Sequence, residues 1–120
     1  MSTNSRQEAM EGEPVRRHVA DRVMSENKPV YGVFVANRID SNTAETFRIG
    51  VWYNNKDERM ALRIVPFTLR QFAYYFKFMF ESGKVAPDYF LALFKKCFDA
   101  KEGKDGPEWK EEIERIITNF

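Results

Sequence analysis

Gln7 and Glu11 stand four residues apart in the run Gln7-Glu8-Ala9-Met10-Glu11, which reads as helix, so the spacing puts them on one face. An amide and a carboxylate so placed could orient a water molecule or a phosphate, and the same pair on a solvated surface would do neither. Arg6, Arg16, Arg17 and Arg22 surround them in sequence. A guanidinium offers forked donors that match paired phosphate oxygens. Asp21 and Glu26 offer those arginines the competing outcome of ordinary surface ion pairs.

Other reactive types are sparse. His18 is the single histidine and Cys97 the single cysteine, too few for a zinc site of about four ligands. His18 lacks a partner for nucleophilic chemistry and reads as a polar or half-buried structural residue. Cys97 falls between Phe94 and Phe98, as a buried thiol would, and one cysteine forms no internal disulfide, which suits a reduced, cytoplasmic setting. Pro87-Asp88 with Glu102-Gly103-Lys104 spells PD…ExK, a pattern that works only when its residues converge from adjacent strand ends. Here Pro87 opens an amphipathic helix and Glu102 falls in a charged loop, so a helix start and solvated charges are expected. Phe72, Tyr75, Phe76 and Phe80 could stack on bases, but their helical spacing fits core packing. Trp52-Tyr53-Asn54-Asn55 is the better place for exposed aromatics. There is no glycine-rich phosphate loop.

The elements that must position these residues fit one domain of 120 residues, 43% hydrophobic and with eleven Phe, enough for a core. Nineteen Lys plus Arg against eighteen Asp plus Glu give a net charge of +1, less basic than a dedicated nucleic-acid binder. No run of about 18 apolar residues could span a membrane, and the N-terminus has no apolar signal region.

Residues 5–26 read as helix, interrupted at Gly12 and Pro14, with Val15, Val19 and Val23 forming an apolar stripe before Asn27-Lys28-Pro29. Residues 30–36, nearly all apolar, read as a strand covered on both faces, as in a parallel sheet. Residues 43–53 fit either a strand or a helix. Asn42 with Glu45 favours a helix carrying Ala44, Phe47 and Val51 on one face, because parallel strands need a crossover between them. Residues 61–66 form the second strand. Thr68 and Gln71 make a capping box for a helix over 68–82 with Leu69, Phe72, Ala73, Phe76, Met79 and Phe80 on one face. That helix is apolar nearly all round, which predicts burial on more than one side. Helices over 87–100 and from Pro107 onward complete the order α-β-α-β-α-α-α.

Several segments resemble the AlwI-type type II restriction endonucleases of the PD-(D/E)xK superfamily. Ser5 to His18 resembles the stretch after the catalytic strand. Tyr31 to Ala36 with Ile39 and Asn42 is similar to the next strand and loop, and Ile64 to Leu69 with Gln71-Phe72 to a later strand-to-helix junction. The resemblance covers roughly residues 5–80. It implies an α/β fold: a partial restriction-endonuclease-like core, a βαβ unit with flanking helices, plus a helical C-terminal part at 84–120. It also implies a C-terminal portion of an enzyme that cuts double-stranded DNA with Mg2+. In that family an Asp on one strand and a Glu or Asp with a Lys on the next hold the cation and support the attacking water. Gln7 would follow the Lys strand, so the catalytic PD…(D/E)xK motif is expected to lie outside this chain. The expectations that follow are no metal held by this chain alone, no cleavage by it alone, Gln7 and Glu11 as accessory catalytic residues, and Arg6, Arg16, Arg17 and Arg22 as DNA contacts. Partners would be double-stranded DNA and either the missing N-terminal half or further copies of the chain. The rival is a non-catalytic interaction module that docks through an open sheet edge.

Overall fold

A computed structural model describes residues 7, 11–25, 30–83 and 86–119. In chain order the elements are α1 (Glu13–Ser25), β1 (Tyr31–Ala36), α2 (Ser41–Ile49), β2 (Val51–Tyr53), β3 (Arg59–Ala61), β4 (Arg63–Thr68), α3 (Leu69–Glu81), α4 (Pro87–Asp99) and α5 (Gly106–Asn119). β1 and β4 pair in parallel, from Tyr31 opposite Arg63 to Ala36 opposite Thr68. Their near-continuous apolarity follows from being covered on both sides.

On one face Gly32 meets α1, where a Cβ would come within 2.5 Å of a Val19 methyl. On the same face Phe34 packs its ring on Phe47 of α2 at 5.3 Å. On the other face Phe67 touches Phe72 of α3 at 6.3 Å and Phe94 of α4 at 6.1 Å, and Tyr31 meets Phe98 edge-on. This is the mixed α/β core expected, with helices on both faces of a parallel pair.

The crossover between β1 and β4 departs from expectation. The helix predicted over 43–53 ends at Ile49, and Val51 belongs to a strand rather than to the helix face of Ala44 and Phe47. Gly50 causes the stop. It adopts φ 60° and donates to Thr46 O, and a Cβ there would lie 2.7 Å from Leu62 O. Only glycine takes that conformation at no steric cost. The chain then enters an antiparallel hairpin, with Val51 opposite Ala61 and Tyr53 opposite Arg59. Asn54 closes its turn by accepting from Lys56 N at 2.9 Å and Glu58 N at 3.0 Å. The helix cap is Asp40, whose carboxylate accepts from Asn42 N, in place of the Asn42–Glu45 box. Glu45 instead pairs with Arg48 and accepts from Gly106 N at 2.8 Å.

α3 starts at the predicted capping box: Thr68 and Gln71 each accept from the other's backbone N–H. Its buried face is Gln71, Tyr75 and Met79; of the face expected, Met79 is buried and Phe72 half-buried against the core, and the rest is turned outward. Leu69, Ala73, Phe76 and Phe80 are exposed, as are Tyr74 and Phe78, so the helix is buried on one side only. An all-round apolar helix has no polar stripe to mark its outside, and the tertiary contacts of Tyr75 with Phe90 decide the matter. In α4 Leu93 and Cys97 are fully buried while Phe90 and Phe94 are half-buried. α5 inserts Trp109, Ile113, Ile116 and Ile117, with Trp109 Nε1 donating to Cys97 O at 2.8 Å. Phe120, which follows Trp109, Ile113 and Ile116 at helical spacing, lies outside the described residues.

Candidate nucleic-acid interface

Gln7 is fully buried, and its amide uses both ends. Nε2 donates to Arg38 O at 2.6 Å, and Oε1 accepts from Asp40 N at 2.8 Å. A polar side chain is stable without water when both its donor and its acceptor are matched. Gln7 thus fixes the loop that leads from β1 into α2. Asp40 Oδ2 and Thr43 Oγ1, in the first turn of α2 beside that loop, are buried and carry no hydrogen bond in the described structure. Neither residue was singled out from sequence, where Asp40 looked like one more polar loop residue. Glu11 is half-buried and lies with Gly12 in a π-helical turn leading into α1; residues 8–10, which link it to Gln7, lie outside the described residues.

The arginines separate. Arg16 turns inward and stacks its guanidinium over the Trp52 indole, 5.4 Å from the ring centre, which ties α1 to β2. Arg17 is exposed and ion-paired to Glu13 one turn earlier. Arg22 is exposed and, with His18, lines a groove of about 540 Å³ between α1 and β1. Arg6 lies outside the described residues. Tyr31, Gly32 and Val33 line the same groove. Gly32 and Val33 project to opposite faces of the sheet. A groove that touches both, and no residue of β4, therefore runs along the free edge of β1. Among the described strands β1 pairs with β4 alone.

The remaining candidates stay apart from this region. Asp88 sits in the first turn of α4 and Glu102 just past its C-terminal end, so PD…ExK is split by a helix of 13 residues, roughly 20 Å long. Burial pushes the Cys97 thiol up to about 12, which keeps it protonated and unreactive. Burial also lowers the pKa of Lys101, whose Nζ donates to Arg48 O at 2.9 Å and lies 4.2 Å from the Phe98 ring. It caps the C-terminal end of α2. Among the described residues no three His, Cys, Asp or Glu side chains gather as a metal-ligand set. None of the described helices is long and apolar enough to cross a membrane.

The described core is thus a parallel β-α-β unit with arginine-bearing α1 on one face and a groove beside the free edge of β1. A family model for the AlwI restriction endonuclease matches residues 1–75, from the N-terminus through the first half of α3. The chain belongs to the AlwI restriction endonuclease family. A search of curated proteins found no match.

Proposed function

We propose that this chain serves an AlwI-type restriction endonuclease as the part that completes the core sheet and contacts duplex DNA along α1. The observation that carries the reading is the family match over the segment containing α1, β1, α2 and β4. The geometry supports it. Arg17 and Arg22 are solvent-facing, and the Arg17–Glu13 pair is exposed, where ion pairs are weak and a phosphate competes readily. In the intact enzyme Mg2+ would be held by carboxylates other than those described here, and hydrolysis would need them. Gln7 would act on that chemistry indirectly, by holding the β1–α2 loop in place, and Glu11 would be an accessory to it.

The test is digestion of plasmid with Mg2+ alongside duplex retention in a gel shift. The reading predicts retention without cutting. Site-specific cutting by this chain would overturn the assignment of the catalytic carboxylates to other residues. A second reading, an interaction module, draws on the free edge of β1 and the groove beside it. Its signature would be strand-mediated association insensitive to salt, because phosphate contacts release counterions and backbone pairing does not.

A further inference from the structure

We infer that Arg38 is a further contact to a backbone phosphate of the duplex and that buried Gln7 is its positioning residue, resting on the reading of this chain as a DNA-contacting part. Arg38 is exposed in the loop between β1 and α2. Among the described residues its guanidinium has no hydrogen-bond, ion-pair or ring partner. Most other arginines are engaged. Arg17, Arg48, Arg70 and Arg115 are ion-paired to carboxylates, and Arg16 and Arg63 lie over the rings of Trp52 and Tyr31. Asp40, two residues on, does not take Arg38. One of its carboxylate oxygens accepts from Asn42 N, and the other is buried without a partner. An open guanidinium keeps its fork of donors for the paired oxygens of a phosphate.

The backbone beneath Arg38 is held from inside the protein. Gln7 Nε2 donates to Arg38 O and Gln7 Oε1 accepts from Asp40 N, which ties the segment from Arg38 to Asp40 at both ends. What those two bonds secure is a loop whose outward side chains are Asn37 and Arg38. A fixed backbone lowers the ordering cost that a long side chain meets on binding. Arg59 is open too, but it sits on the β2–β3 hairpin, where no buried side chain among those described ties its backbone.

The fold sets Arg38 in line with the arginines of α1. Gln7, before α1, meets the loop after β1, while Val19 meets Gly32 near the start of β1, so α1 runs back along the strand. Arg22 shares its groove with Val30 and Tyr31 at the start of β1, and Arg38 follows the strand's end. A strand of six residues lies between them. It spans roughly 20 Å, or about six base-pair steps of a duplex. Arg17 falls between the two along α1. Lys110 of α5 reaches the same end as Arg38, its Nζ donating to Ser41 Oγ at 3.5 Å. Loops at the carboxyl ends of parallel strands are the usual ligand-binding end of an α/β sheet.

Anisotropy of a labelled duplex over a salt series, with the full chain, tests this. Arg38→Ala should lower affinity about tenfold at low salt and lower the logarithmic salt slope by about one, whereas Arg115→Ala should change neither. Arg38→Lys should restore the slope but only part of the affinity, because an ammonium keeps the charge and loses the fork. A double-mutant cycle reads the role of Gln7: Gln7→Ala should weaken binding about threefold in the wild type and not at all in Arg38→Ala. Urea denaturation gives the folded fraction of each variant, so that affinities are compared at equal folded concentration. Gln7→Asn, which keeps the amide but is one methylene short, takes the place of Gln7→Ala if that variant does not fold. Binding weakened by Arg17→Ala and Arg22→Ala but indifferent to Arg38→Ala overturns this inference and leaves the reading of α1 standing. A Gln7 effect undiminished in Arg38→Ala overturns the positioning role. No duplex binding by the wild type overturns both.

Discussion

α5 packs on α2 and α1 packs on β1, and the two are seated differently. Where α5 meets α2, a Cβ at Gly106 would lie 3.0 Å from Glu45 N and from Ser41 O, so backbone sits against backbone. Gly106 N is held by Glu45, and Glu45 is held by Arg48. Where α1 meets β1, the contact at Gly32 is with one valine side chain, and a groove opens beside it. One seam is closed by hydrogen bonds, with backbone on both sides at a distance tight for a methyl group. The other leaves a strand edge beside a groove lined in part by His18 and Arg22. Rigidity resides on the α2–α5 side, and the capacity for contact on the α1–β1 side.

Substitutions that add or remove a few atoms can break that contrast. Gly106→Ala should have the largest effect, about 3 kcal/mol of stability by urea denaturation, because backbone cannot move aside as a rotamer can. Gln7→Ala should cost about 2 kcal/mol, since Arg38 O and Asp40 N would be buried without their partner. Hydrogen exchange at Asp40 should rise with it. Gly32→Ala adds the same methyl as Gly106→Ala but meets a side chain, so a loss of about 1 kcal/mol is expected, with α1 shifting outward. Equal losses at Gly32 and Gly106 would erase the distinction between the two seams.

The smallest effect is a pH dependence on the closed side. The hydrogen bond from Arg48 is the main cause that holds the Glu45 carboxyl below the usual glutamate range, and Gly106 N–H adds to it. A depressed folded pKa means that Glu45 stabilises the fold above the ordinary glutamate range. That contribution is lost as pH falls through the lowered value. Glu45→Gln should flatten the acid limb of the stability curve over that window and leave neutral-pH DNA affinity unchanged.

Much of this architecture was legible in the sequence. Residues 30–36 and 61–66 announced two buried strands, and Thr68 with Gln71 fixed the start of α3. The β2–β3 hairpin was not legible, because strands of three residues show too little alternation to compete with a helix reading. Gly50 was the one available signal. The face of α3 was misassigned because its composition is apolar almost all round. At the candidate site, Gln7 was found through its family context, but its partners are a backbone carbonyl and amide, which no residue type advertises. The inward turn of Arg16 depended on Trp52, 36 positions away along the chain and near only after folding.

The most direct test of the proposed role is fluorescence anisotropy of a labelled duplex titrated with this chain across a salt series. The account predicts binding at low salt whose logarithmic affinity falls linearly with the logarithm of salt concentration. Arg17→Ala and Arg22→Ala should each lower that slope by about one. Absence of duplex binding at low salt, or a slope that neither substitution changes, would contradict it.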